Sequence, residues 1–92
     1  MGYYLISYDL RTPGKDYTSL YAAIKQISPQ WQHPLESTWF IYTSLSSGEI
    51  YNRLYIHMDR SDRIVIIKVD EKDKQGWLSK TFWDWINTPR AL

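Results

Sequence analysis

The residue best placed to do chemistry in this sequence is Asp9, which closes the apolar run from Tyr3 to Leu10. A carboxylate isolated in a protein interior costs several kcal/mol or takes up a proton. Asp9 must therefore reach a cation, a donor or water at the point where a strand gives way to a loop. Two uses are open to it: capping the turn that follows, or serving a functional site at the strand's C-terminal end. A second group, Arg53, Arg60 and Arg63, flanks a polar loop. It can face phosphate, or it can be consumed in salt bridges with the interleaved Asp59 and Asp62. Trp77, Trp83 and Trp85 can stack on bases or grip a partner, although aromatic residues at helical spacing more often belong to a core. His33 and His57 lie far apart without metal-ligand spacing, so they are expected at the surface or on a helix face. Ser7 and Ser37 have no neighbouring His and Asp in a recognisable arrangement, which argues against a nucleophilic hydrolase. The four glycines are scattered and form no phosphate-binding loop.

Composition narrows the classes further. The 92 residues read as one domain, 1–92, long enough for a single core but near the marginal end of independent stability. The absence of cysteine removes disulfides and thiolate zinc sites. Aromatic residues reach 16%, with 5 Trp and 8 Tyr, which suits a compact core or a packed partner surface. A formal net charge of +1 lacks the basic excess of a phosphate-binding domain. Any nucleic-acid contact therefore needs a local patch, or a charge doubled by oligomerisation. Met1-Gly2-Tyr3-Tyr4 carries no positive segment ahead of an apolar stretch, and no apolar run reaches membrane-spanning length. The expected localisation is cytoplasmic, with no membrane partner.

The elements that must position these residues follow from periodicity. Tyr3 to Leu10 alternates as a strand, and Arg11 to Lys15 is a loop broken by Pro13-Gly14. Asp16 is expected to cap a helix to about Ile27, with Tyr17, Leu20, Tyr21, Ile24 and Ile27 on its inner face. Gln30 to Leu35 is ambiguous, and Pro34 confines it to an edge if it is a strand. Ser37 to Thr43 is a clearer strand. Ser46 with Glu49 forms a capping box that opens a second helix to about Met58. Arg63 to Val69 is the most apolar strand, and Ser79 is expected to cap a short tail helix ended by Asn87-Thr88-Pro89. The order is strand, helix, strand, strand, helix, strand, then an extra helix. That predicts an α+β, ferredoxin-like βαββαβ sandwich over about residues 3–70, with an additional C-terminal helix over about 77–88.

Such a sheet leaves one face uncovered by its two helices, and that face should read polar. Here both registers of the last strand are apolar: Ile64 and Ile66 on one side, Val65, Ile67 and Val69 on the other. Trp39 and Ile41 likewise oppose Phe40 and Tyr42. Burying each such side chain is worth roughly 1.5–3 kcal/mol. The surplus must be buried by the C-terminal helix, by a second copy of the chain or by both. The expectation is a homodimer, the commonest closed symmetry, with Trp39, Ile41, Trp83 and Trp85 at the dimer or partner interface.

On these residues the chain resembles a known family. Tyr4-Leu5-Ile6-Ser7-Tyr8-Asp9-Leu10, the edge strand, Ser37-Thr38-Trp39-Phe40 and the capped Leu45-Ser46-Ser47-Gly48-Glu49 resemble the small CRISPR-associated dimeric nucleases of spacer acquisition. They also look like the virulence-associated protein D toxins, and like short bacterial and phage proteins labelled SinR-like with a tryptophan-rich tail. The resemblance covers about residues 3–70 and rests on element order and the strand-end aspartate. It implies a homodimer in which two Asp9 carboxylates face each other across the two-fold and share Mg2+ or Mn2+. The ion would activate water for attack on a phosphodiester of RNA or DNA. The resemblance carries over Asp9 alone, with Tyr8 beside it, as both the catalytic residue and the metal ligand. By their own charge and placement Arg11, Lys15, Arg53 and Arg63 are the expected nucleic-acid contacts. The chain differs from those nucleases in two ways. Arg11 and Lys15 are its only basic residues before Lys25, and a tail helix stands where they carry an extra strand. Two functions are thus expected as alternatives. One is a dimeric nucleic-acid-associated or interaction protein, set in mobile-element defence, counter-defence or toxin–antitoxin pairing, that binds a protein or nucleotide partner. The other is a divalent-metal-dependent endonuclease.

Overall fold

The computed structural model describes residues 1–90. Strand β1 (Gly2–Asp9) leads to helix α1 (Thr18–Ile27), then strands β2 (Trp31–Leu35) and β3 (Thr38–Thr43). Helix α2 (Ser47–Leu54) continues into a 3-10 turn over Tyr55–His57, and strand β4 (Arg63–Val69) and helix α3 (Lys80–Asn87) follow. The four strands form one antiparallel sheet in the order β2-β3-β1-β4. The architecture is α+β, a four-stranded antiparallel sheet with three helices, and it is compatible with a ferredoxin-like sandwich. Among the described residues no helix is long and apolar enough to cross a membrane.

Local chemistry accounts for the element ends. Ser46 accepts from the Glu49 amide at 3.2 Å while Glu49 Oε1 accepts from the Ser46 amide at 3.2 Å, the reciprocal bonds of a capping box. Asp16 acts just ahead of α1 rather than as its cap residue: its carboxylate accepts from the Thr18 amide at 2.9 Å, an Asx turn that presents the first helical turn. Ser79 caps α3 through the Phe82 amide. Pro34 falls where the β2–β3 register shifts between Gln32 and Leu35, so the residue that cannot donate to a ladder sits at an irregularity of an edge strand.

The sheet has two unlike faces. Tyr4, Ile6, Tyr8, Trp39 and Ile41 point beneath α1 and α2, where they meet Leu20, Ile24, Ile50 and Leu54. Trp39 is 1% exposed and Ile41 fully buried. This corrects their expected place at a partner interface: the two helices close that face within the chain, and neither side chain has surface to offer. On the opposite face α3 lies over one end of the sheet. Phe82 and Ile86 pack on Tyr3 and Tyr42, with Phe40, Val69, Leu78, Trp83 and Trp85 around them. Trp85 meets the Tyr3 ring edge-on at 5.5 Å, and Trp83 meets Phe82 at 5.4 Å, so both tryptophans are spent largely on the chain's own packing. Trp77, in the connector ahead of α3, is 99% exposed.

The tail covers only half of that second face. Leu5, Ser7, Thr38, Val65 and Ile67 lie on the other half, with Val65 46% and Ile67 52% exposed along the edge strand β4. The apolar surplus read from the sequence is real, but a single helix removes much of it.

Candidate functional site

Two loops converge where β1 ends and β4 begins, and Asp62 ties them together. Its carboxylate is buried and accepts from the Arg11 amide at 2.7 Å, from the Asp59 amide at 2.9 Å, and from the Tyr17 hydroxyl at 2.8 Å to both oxygens. Burial alone would raise the Asp62 pKa. The two backbone donors, the Tyr17 hydroxyl and the nearby Lys15 charge outweigh burial and hold it below the ordinary carboxylate value. Thr12 and Ser61 hydroxyls bond at 3.2 Å, and Lys15 pairs with Asp59 at 3.2 Å, so the β1–α1 loop is laced to the α2–β4 loop along its length. Gly14 makes the turn in that loop with φ +78, a conformation that other residues adopt only with strain. Asp62 did not stand out in the sequence, where it reads as one of several charges in a solvated loop. Two of its three partners, Tyr17 and Arg11, lie 45 and 51 residues away, and no local spacing signals them.

This lacing sets the backbone around Asp9. The side chain of Asp9 lies on the half-open face beside Arg63, its register partner across β1 and β4. Asp9 Oδ2 accepts from Arg11 Nε at 2.7 Å, with the two side chains 58% and 53% exposed. The expected cation for the strand-end acid is thus Arg11, two residues on. Arg63 donates to the carbonyls of Ser61 and Asp62 at 3.3 Å and, among the described residues, makes no ion pair. Ser7, Asp9, Arg63 and Val65 border a shallow depression of about 290 Å³ on this face.

Of the residues expected to contact nucleic acid, Arg11 and Arg63 gather at Asp9, and Lys15 stands in the adjoining loop bound to Asp59. Arg53 does not join them. It lines a depression with Gln26, Asn52, Ile56 and His57 at the outer surface between α1 and α2. His33 stacks on Trp39 at 3.9 Å with planes 14° apart, and its Nε2 lies 3.1 Å from the Glu36 carbonyl, a packing role at the edge strand. No protein-family model and no curated protein matches the chain.

Within one chain the donor set does not fit a divalent ion. Hard cations seek several oxygens, usually with more than one carboxylate or a phosphate among them. Asp9 offers a single carboxylate, and the Arg11 guanidinium beside it opposes a second positive charge. Asp62 is filled by its four contacts. Among the described residues no three His, Cys, Asp or Glu side chains gather as a metal site. What the arrangement can do is present an acid and a base side by side on the rim of an exposed apolar strip. That pattern is self-complementary, because a two-fold can set the Asp9 of one copy against the Arg63 of another.

Proposed function

We propose that this chain is a small ferredoxin-like, non-catalytic interaction protein that associates with a second copy through the half-open sheet face and works with nucleic acid. The carrying observation is the strip formed by Leu5, Val65 and Ile67, bordered by the oppositely charged Asp9 and Arg63. The strand order β2-β3-β1-β4, with helices after β1 and β3 on one face, supports the ferredoxin-like assignment. The mobile-element defence, counter-defence or toxin–antitoxin setting rests on the family resemblance of residues 3–70. The engagement of Asp9 by Arg11 favours binding over metal-assisted hydrolysis.

Sedimentation velocity from micromolar to millimolar concentration tests the assembly. The parent is expected to shift toward the dimer mass with concentration, and the double variant Val65→Lys, Ile67→Lys to remain monomeric. A parent that stays monomeric throughout, or a variant that associates equally, refutes the proposal. Incubation with short RNA and DNA plus Mg2+ or Mn2+ is expected to leave the strands intact. Cleavage that is lost in Asp9→Ala would replace this reading with the nuclease one.

A further inference from the structure

The helix layer carries a feature that the half-open face does not involve. Tyr51 and Tyr55, one turn apart at the end of α2, stack on each other with centroids 5.5 Å apart and planes at 17°. They are 46% and 51% exposed, and they border a depression of about 290 Å³ floored by Met58 and Ile64. Two acids reach this depression, and both are already committed. Asp59 is paired with Lys15, and the Asp62 carboxylate accepts from two backbone amides and the Tyr17 hydroxyl. The remaining charge is Arg60, an exposed guanidinium on the rim that makes no ion pair among the described residues.

Two flat π faces beside an uncommitted guanidinium match a particular ligand chemistry: a planar ring carrying an adjacent anion. We infer that the Tyr51–Tyr55 depression is a stacking site for an unpaired nucleobase of single-stranded nucleic acid, with Arg60 on the neighbouring phosphate. A duplex keeps its base faces inside its own stack, so it cannot use the tyrosine faces. The inference takes its ligand class from the nucleic-acid association proposed above. It occupies the opposite side of the sheet from the proposed copy–copy contact, so the two fail separately.

Fluorescence anisotropy with labelled oligouridylate and oligothymidylate of about ten nucleotides tests it. The parent is expected to bind at least one of them in a salt-dependent way and to bind a duplex of equal length more weakly. Replacing both tyrosines (Tyr51→Ala, Tyr55→Ala) should weaken binding roughly tenfold, whereas Tyr51→Phe with Tyr55→Phe should retain it, since stacking needs the ring and not the hydroxyl. Arg60→Ala should lower the slope of log K against log salt by about 0.7, the loss of one phosphate contact to a single strand. All three sites are exposed, and unchanged thermal melts would show that the fold is intact. The inference is overturned if the parent binds neither strand, if the alanine pair binds as the parent does, or if the duplex binds as tightly. A monomer–dimer distribution that is the same for the tyrosine variants and the parent separates a failure here from a failure of self-association.

Discussion

Replacing Asp62 by alanine should be the most damaging single change to a charged residue in this protein, although sequence alone makes it look like one acid among several in a loop. The carboxylate holds the amides of Arg11 and Asp59 and the hydroxyl of Tyr17. A hydrogen bond to a charged acceptor contributes about 1.5–3 kcal/mol net, and a buried donor left alone costs about 1–3 kcal/mol. Water can reach part of this loop layer, so the loss should be about 3 kcal/mol rather than the full sum. Set against a total stability of about 5–14 kcal/mol for a domain of this size, that is a large fraction. It corresponds to a fall in Tm of roughly 12–24 °C. Urea unfolding followed by tryptophan fluorescence measures it directly, and a shift below about 0.5 kcal/mol, the level of an ordinary surface substitution, refutes the hub. The pH dependence gives an independent check. The folded pKa of Asp62 lies below its ordinary value, so its stabilisation is present above the unfolded pKa and is lost as pH falls through the folded one. The gap between parent and Asp62→Asn should therefore narrow below about pH 4. A gap that is constant through acid would show that the charge of Asp62 is not what the loops are built on.

Two further predictions concern the two packed layers. Burial pushes the Tyr8 hydroxyl up to about 12 even though Trp39 Nε1 donates to it at 2.9 Å. A raised folded pKa means that this stabilisation is complete below the unfolded value of 10.0 and fades as pH climbs toward 12, so urea midpoints should fall across that alkaline window. A flat profile there, in a protein still folded, contradicts the burial of Tyr8. On the other face, Phe82→Ala removes a side chain only 3% exposed and should cost about 3 kcal/mol, with a gain in binding of an apolar dye as Tyr3 and Tyr42 are uncovered. Parent-like unfolding and no dye binding would mean that α3 is not docked on the sheet.

The elements were legible in the sequence because each carries a local signal. The Ser46–Glu49 box marked the start of α2, and the Arg63–Val69 run matched β4 residue for residue, whereas Gln30 to Leu35 was ambiguous and Pro34 placed it at an edge only on the condition that it was a strand. The expected helix to Met58 instead tightens after Leu54 into a 3-10 turn, where Met58 N–H bonds the Tyr55 carbonyl, a detail that helical periodicity does not encode. The site was legible only in part. Asp9 was visible because a charge ends an apolar run, and its cation proved to be a near neighbour in sequence. Asp62 was hidden because its role depends on residues brought together only by the folded chain. Trp39 and Ile41 were misplaced for a related reason. In a strand apolar on both faces, alternation shows that there are two faces but not which one the helices take.

Where α3 docks also limits how strongly two copies can meet. The half-face left open spans four strands about 4.8 Å apart and roughly three residues of about 3.3 Å along each, on the order of 200 Å² of sheet. Even doubled for side-chain relief, that falls short of the roughly 800 Å² per partner of a stable interface. Val65 and Ile67 are already about half covered, so burying the rest contributes about 1 kcal/mol each per copy. Association itself costs about 4–15 kcal/mol. The apolar strip alone would therefore give at most a weak, concentration-dependent pair, and the charges on its rim would decide whether the proposed pair forms at all. Two Asp9 carboxylates brought to one axis without intervening cations would repel. The same two carboxylates, each set against Arg63 of the other copy and keeping Arg11 beside it, would attract. The second arrangement would leave no carboxylate free to take a metal ion, so a pairing of this kind, if it holds two copies together, would also work against a shared divalent site.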